Sequence, residues 1–293
     1  GVSKAMYPFY KAIAEQAGLT VYGSLPPVPE AEIPDRHLGL VTAQEIGDLQ
    51  RRLDLLADAA EEGLDLDGLL ALAHTAPPLA DESAPPMPVA DRPVRIAVAR
   101  DRAFCFYYAD NFDVLRALGA EIVEFSPVGD EKLPEHIDGL YLGGGYPELY
   151  AEQLAANRTM RESIRAAVQG GLPTIAECGG FLYLHRTLDG AEMAGVIDAD
   201  AHMTKKLQPF GYVTLTAGRD NLLCRAGGII RAHEFHYAQS DDNGDAFRAE
   251  KPNGRAWDCV HANETLYAGF PHLYFRANPA FAQRFVRACA QRR

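Results

Sequence analysis

Residues 173–184, Pro-Thr-Ile-Ala-Glu-Cys-Gly-Gly-Phe-Leu-Tyr-Leu, decide the reading of this chain. The run Pro173 to Ala176 is short and β-leaning, Gly179 and Gly180 permit a tight turn and close backbone approach, and Phe181 to Leu184 continue as helix. Cys178 therefore stands at a strand-to-helix turn. A thiol there lies beside unsatisfied N–H donors and a partial positive charge, which lower its pKa and favour the nucleophilic thiolate. The same N–H groups can hold a developing oxyanion. A Cys-Gly-Gly turn also suits a buried structural cysteine, the commoner fate of a lone thiol.

The flanking sequence separates the two readings. Upstream, Ile137 to Leu142 reads as a buried strand entering Gly143-Gly144-Gly145-Tyr146-Pro147-Glu148, a turn whose backbone N–H groups can face an anion, with a helix beginning at the acidic residue. An ordinary glycine-rich turn is the plainer alternative. Downstream, the β-leaning run Leu266 to Phe270 delivers Pro271-His272-Leu273-Tyr274 at its end. A histidine at one strand terminus can reach a cysteine at another in the same sheet, the arrangement a Cys-His pair needs.

Further out, the pattern divides the chain. Thr75 to Pro88 is proline-rich and reads as a linker, giving an expected organisation of residues 1–75, a linker over 76–92, and a domain over 93–293. Before the linker, 4–17 reads as helix, Thr20 to Gly23 as strand, and 43–61 and 65–74 as helices with apolar spacing through Leu49, Leu53, Leu56, Leu69, Leu70 and Ala73. After it, strands at 94–99, 121–125, 137–142 and before Cys178 alternate with helices at 111–118 and 157–169. Such alternation predicts an α/β domain with a parallel sheet covered on both faces. From Phe210 strands predominate, and 279–291 closes as a helix.

The formal net charge of −12 speaks against a nucleic-acid partner. Cysteines 105, 178, 224, 259 and 289 form neither paired spacings nor a metal-ligand pattern, which fits a reducing cytosol and a cytoplasmic protein. No apolar run reaches the roughly 20 residues of a transmembrane helix, so no membrane association is expected. His233-Glu234-Phe235-His236-Tyr237 invites a metal reading, but its histidines are three apart in strand-like surroundings and would point to opposite faces. No metal is expected there; a structural histidine pair or a site role remain. Arg100 and Arg102 with Phe104, Phe106, Tyr107 and Tyr108 can form a wall against a flat ligand bearing carboxylates, or a strand end packed on a sheet edge.

Together, Arg95-Ile-Ala-Val-Ala-Arg-Asp-Arg-Ala-Phe-Cys-Phe-Tyr-Tyr108, Asp138-Gly-Leu-Tyr-Leu-Gly-Gly-Gly-Tyr-Pro-Glu148, Ala176-Glu-Cys-Gly-Gly180 and His233-Glu-Phe-His-Tyr237 resemble the cobyrinic acid a,c-diamide synthase family. Pro34-Asp-Arg-His-Leu-Gly-Leu-Val41 resembles the signature near the end of that family's synthetase domain. The resemblance implies a flavodoxin-like class I glutamine amidotransferase domain, preceded by the later part of a P-loop-type, dethiobiotin-synthetase-like α/β domain. It implies that Cys178 attacks glutamine, that His272 is its base and acid, and that Gly144, Gly145 and Gly179 hold the oxyanion and glutamine. Arg100, Arg102, Tyr107, Arg231, His233, Glu234 and His236 are the implied substrate contacts. An acid that many class I glutaminases carry two residues after the histidine is replaced here by Tyr274, leaving the partner that orients His272 unassigned.

The implied reaction is ATP- and glutamine-dependent amidation of the a and c acetates of cobyrinic or hydrogenobyrinic acid in cobalamin biosynthesis; nickel-sirohydrochlorin is an alternative tetrapyrrole. ATP and Mg2+ serve the full reaction, yet no Gly-x-x-x-x-Gly-Lys-Ser/Thr occurs in this sequence. The chain is therefore expected to be an N-terminally truncated synthetase or one part of a split enzyme, with no phosphate loop and no tightly bound cofactor. Its expected partners are glutamine, a corrin carboxylate, and a synthetase chain or second copy. A silent corrinoid-binding module and an unrelated cysteine hydrolase are the competing readings.

Overall fold

A computed structural model describes residues 2–36, 39–79 and 87–292. His37 and Leu38 of the Pro34 to Val41 signature, and residues 80–86 of the expected linker, lie outside the described residues. The chain divides into two compact units, Gly1–Ser83 and Ala84–Arg293.

The first unit contains α1 (Tyr7–Gln16), α2 (Leu49–Gly63) and α3 (Leu66–Ala73), with a two-residue ladder of Asp35–Arg36 on Gly39–Leu40. The helix expected over 43–61 starts only at Leu49. Residues Ala43–Glu45 form a separate 3-10 turn, and Asp48, just before α2, takes bonds from Arg51 and Arg52 at 2.7 Å each. The strand expected at Thr20 to Gly23 reduces to one bridge, Gly23 to Leu64. Among the described residues of this unit only Ala31 is buried, while Phe9, Tyr10, Ile13, Leu70 and Leu72 stay about half exposed. Its helices have apolar faces but no core of their own.

The second unit runs β1 (Val94–Ala99), β2 (Phe104–Phe106), α4 (Ala109–Ala117), β3 (Ala120–Phe125), β4 (Gly139–Leu142), β5 (Gly144–Gly145), α5 (Ala151–Ala156), α6 (Arg158–Gln169), β6 (Thr174–Glu177) and α7 (Gly179–Leu184). Short strands between Thr187 and Met203, with Ala238–Ser240, form a small mixed sheet; the other elements are β7 (Gly211–Ala217), β8 (Ile229–Glu234), β9 (Phe247–Glu250), β10 (Ala256–Cys259), β11 (His261–Ala262), β12 (Leu266–Gly269), β13 (His272–Leu273) and α8 (Pro279–Gln291). The chain past Pro147 opens as a 3-10 turn, Pro147–Tyr150, before α5.

The central sheet has the order β11-β12-β6-β4-β1-β3, parallel except for β11. From β1 the chain steps to one side (β3) and then to the other (β4), which makes the carboxyl ends of β1 and β4 a switch point where ligands bind in open α/β sheets. Both faces are covered, as the alternation predicts. Val94, Ile96, Val98, Tyr141 and Tyr267 pack against Phe112 of α4 and Phe281 and Phe285 of α8. Ala97, Leu140, Leu142, Ala176 and Ala268 pack against Leu154, Met160, Ile164 and Phe181. Each large apolar side chain so buried contributes about 1.5–3 kcal/mol.

A second sheet, β10-β9-β7-β8-β13, is wholly antiparallel. Along β7, Val213, Leu215 and Ala217 turn inward to the Tyr141 side of the core, and Tyr212, Thr214 and Thr216 face outward. Its last pairing sets His233 opposite His272 and Ala232 opposite Leu273.

Candidate active site

Cys178 has φ 48° and ψ −100°, a left-handed backbone that costs a non-glycine residue about 1–3 kcal/mol. The surroundings hold it there. Its N–H donates to Gly269 O at 2.8 Å, its carbonyl accepts from Leu182 N at 2.9 Å, and Gly180 N donates to Gly143 O at 2.8 Å. A Cβ on Gly180 would lie 2.1 Å from Leu142 O, and one on Gly179 would lie 3.0 Å from Gly145 N. The Cys-Gly-Gly turn and the Gly143–Gly145 loop therefore touch through bare backbone.

Three residues beyond Gly269, whose carbonyl anchors Cys178, the chain reaches His272. A Cβ on Gly144 would stand 2.4 Å from His272 Cε1, so the ring rests on that glycine. Cys178, His272, Gly144, Gly145 and Gly179 thus lie around one point at the carboxyl edge of the parallel sheet. Asn111 fixes the segment after His272: Nδ2 donates to Leu273 O at 2.8 Å and Oδ1 accepts from Phe275 N at 2.9 Å. Tyr274, in the place of the missing acid, turns away and donates to Asp110 at 2.7 Å.

A different acid reaches this histidine. Glu177, the residue before Cys178, is 1 % exposed; its Oε1 accepts from Leu273 N at 2.9 Å, its Oε2 accepts from Tyr141 Oη at 2.8 Å, and Oε2 lies 3.9 Å from His272 Nδ1. The sequence carries a signal for it, one carboxylate ending an otherwise uncharged strand.

The electrostatics correct the expectation for the thiol. Burial pushes Cys178 up to about 12, reinforced by the negative charge of Glu148, while the Gly179 N–H pulls the other way. The turn's donors are outweighed because the thiol is almost fully removed from water and α7 is only six residues long. Burial pushes His272 down to about 4, aided by His233 and His236, and pushes Glu177 up to about 8 against its two hydrogen bonds. Thiol and imidazole are both neutral at physiological pH, a state set for proton transfer when a ligand arrives rather than a standing thiolate.

The family model for the CobB/CobQ-like glutamine amidotransferase domain matches residues 95–280. The chain belongs to the CobB/CobQ-like glutamine amidotransferase family. It is 40 % identical to cobyrinate a,c-diamide synthase of Picrophilus torridus, over 95 % of this chain and 62 % of that protein. It is 36 % identical to the protein of that name from Caldanaerobacter subterraneus subsp. tengcongensis (98 % and 65 %) and 38 % identical to the one from Priestia megaterium (98 % and 64 %). The chain spans just under two thirds of the length of these curated relatives.

In this amidotransferase unit the other expected contacts are dispersed. Tyr107 packs beside Phe112 and Tyr141, and its hydroxyl donates to Ala99 O and accepts from Gly143 N at 2.9 Å, so it braces the glycine loop. Phe104 is fully buried, Phe106 packs on Tyr146, and of that aromatic run only Tyr108 is exposed. Arg100 and Arg102 are exposed, Arg100 pairing with Glu124 at 3.5 Å. Arg231 and His233 line a cavity of about 580 Å³ with Tyr108, Tyr212 and Tyr274. His236 lies beyond the end of β8 rather than in a strand with His233. Its ring stacks on Phe270 at 3.7 Å, its Nδ1 meets Ala238 O at 2.8 Å, and its buried Nε2 stands 3.9 Å from Oε2 of the buried Glu234. Glu234, His236 and Phe270 line a separate cavity of about 490 Å³.

Proposed function

We propose that Cys178 and His272 hydrolyse glutamine, and that the ammonia amidates the a and c acetates of cobyrinic or hydrogenobyrinic acid. The observation that carries this reading is the anchoring of the strained Cys178 to Gly269, three residues before His272. In this reading Sγ attacks the side-chain amide carbon of glutamine as His272 takes the thiol proton through Nε2, the nitrogen away from Glu177. N–H groups of the Gly144 and Gly179 region receive the oxyanion. The imidazolium returns its proton to the leaving ammonia, and the neutral ring then activates water against the γ-glutamyl thioester. The cavity bearing Glu234 and His236 suits the amino-acid end of glutamine: a buried carboxylate for the ammonium and a buried ring nitrogen for a polar group.

Carboxylates are poor electrophiles, so amidation needs an activated carboxyl group, which this reading assigns to an ATP-using synthetase centre. This reading assigns ATP and Mg2+ to that centre rather than to a phosphate loop in this chain. No phosphate-loop sequence occurs, and among the described residues no trio of His, Cys, Asp or Glu is placed to hold a metal. Residues 1–75 are read as the later part of a synthetase domain, 76–92 as a linker and 93–293 as the glutaminase. The uncovered apolar helices of the first unit support that reading, being the faces a larger domain would bury. The test is release of glutamate from glutamine by this chain and by Cys178→Ala, without ATP. Release that vanishes in the variant is expected; no release by either protein sinks catalysis by this chain alone and favours a silent binding module.

A further inference from the structure

We infer that Glu177 is the positioning acid of His272, taking from the nucleophile's own strand the part for which Tyr274 offers no carboxylate. The inference rests on the glutaminase reading for its role and on geometry for its substance. Glu177 meets the histidine segment twice: Oε1 holds the amide of Leu273, the next residue, and Oε2 faces His272 Nδ1 at 3.9 Å. One side chain thus fixes the backbone that carries the ring and faces the Nδ1 edge of the ring. The carboxylate is itself held, since Tyr141 donates to Oε2 at 2.8 Å and both residues are buried at the ends of adjacent parallel strands. Among the described residues Glu177 pairs with no arginine or lysine, and the basic side chain facing it is His272.

This arrangement has a chemical consequence. When His272 takes the proton of Cys178, a positive charge forms in a site almost closed to water, and the Glu177 carboxyl facing Nδ1 balances it in its ionised form, which the rise of that carboxyl to about 8 confines to the upper end of the physiological range. The pair titrates as a unit, one proton being shared between the two groups over the range between their macroscopic steps. The other titratable groups facing the pair are Tyr107, Tyr108, Tyr141 and Tyr267 around Glu177, His233 and His236 beside His272, and Cys178 itself. Strand pairing explains why the position is hidden in sequence: acid and base are 95 residues apart and meet only because β6 lies beside β12.

The test uses the whole chain and Glu177→Gln, which keeps the size and the acceptor for Leu273 N–H but removes the charge. Nitrogen NMR of the His272 ring, assigned by its disappearance in His272→Gln, is followed from pH 4 to 9 in both proteins. Two steps are expected in the parent chain, and in Glu177→Gln a single step at lower pH. In glutamate release, kcat is expected to fall at least 10-fold with KM moving less than about 3-fold, and the acid limb of the profile to shift to lower pH. Tyr141→Phe, which removes a donor to the carboxylate without touching the fold's apolar contacts, should lower kcat by a few-fold. An unchanged ring titration in a folded Glu177→Gln overturns the inference. Because the ring titration needs no turnover, a chain that releases no glutamate still answers this question while counting against the glutaminase reading.

Discussion

The two sheets of the second unit solve different problems. The parallel sheet is buried on both faces; β4 and β6 show no exposed residue along their length, and the strand ends that carry Cys178 are locked by backbone bonds to Gly143 and Gly269. The antiparallel sheet is buried on one face only, with Tyr212 78 % exposed on the other, and it ends in the two-residue strand that carries His272. One sheet supplies a strained seat for the thiol of Cys178, and the other sets His272 against Gly144 at the same edge. A nucleophile that needs an unusual backbone conformation belongs where neighbours over-determine the chain. In the proposed reaction the base needs only correct aim, which Glu177, Asn111 and the Gly144 surface would provide.

The largest effect should come from cutting the seam on the antiparallel side. His272→Ala is expected to lower glutamate release by about 10³-fold or more, and Cys178→Ala combined with His272→Ala to be no worse than Cys178→Ala alone, because residues acting as a unit are not additive. Steady-state rates on the three proteins check this. An additive double variant would mean that thiol and imidazole work separately, and the two sheets would then not share one site. Neither single change should unfold the protein, since His272 fills space left by a glycine and Cys178 is a small side chain.

Glycines measure the same contrast through stability. Gly180→Ala places a Cβ 2.1 Å from Leu142 O and 2.6 Å from Leu142 Cβ, contacts inside the parallel sheet that cannot yield without moving backbone. A loss of about 3 kcal/mol or more is expected. Gly211→Ala, at the start of β7, meets nothing within 4 Å and carries only the strain of φ +105°, for about 1–2 kcal/mol. Urea unfolding midpoints of the two variants give the order; equal losses would deny that the parallel sheet is the stiffer seat.

Legibility in the sequence follows the same division. The parallel strands are short apolar runs between turn residues, so β1 over Val94–Ala99 and β6 before Cys178 are readable, as are the closing helix and α6. The Cys-Gly-Gly turn is readable because Gly180 alone fits against Leu142. The antiparallel sheet is legible only as a tendency, since the pairing of β8 with β13 joins residues about 40 apart and nothing local announces it. That pairing is what sets His233 against His272. The thiol's pKa ran opposite to expectation for a related reason: the turn shows its donors in the sequence, whereas the burial that outweighs them comes from distant segments. In the first unit, helical spacing is plain in 49–74, yet Leu53, Leu69, Leu70 and Ala73 remain exposed and Leu49 and Leu56 are only half-buried.

The finest test concerns the charge pair at the seam. Glu177, raised to about 8 in the folded protein, binds its proton more tightly there than in the unfolded chain, so its contribution to stability is present at low pH and lost as pH rises through about 8. His272, lowered to about 4, does the reverse: the unfolded chain binds the proton more tightly, so its contribution is present above the ordinary histidine range and lost as pH falls toward 4. Between about pH 4.5 and 6.5 the two slopes oppose each other, each at most about 1.4 kcal/mol per pH unit. Removing one member should therefore expose the other. Glu177→Gln should lose stability relative to the parent chain as pH falls through this window, and His272→Gln should gain it, read as thermal midpoints at half-unit steps of pH. Parallel curves for the two variants would mean that burial at the seam has not moved acid and base in opposite directions.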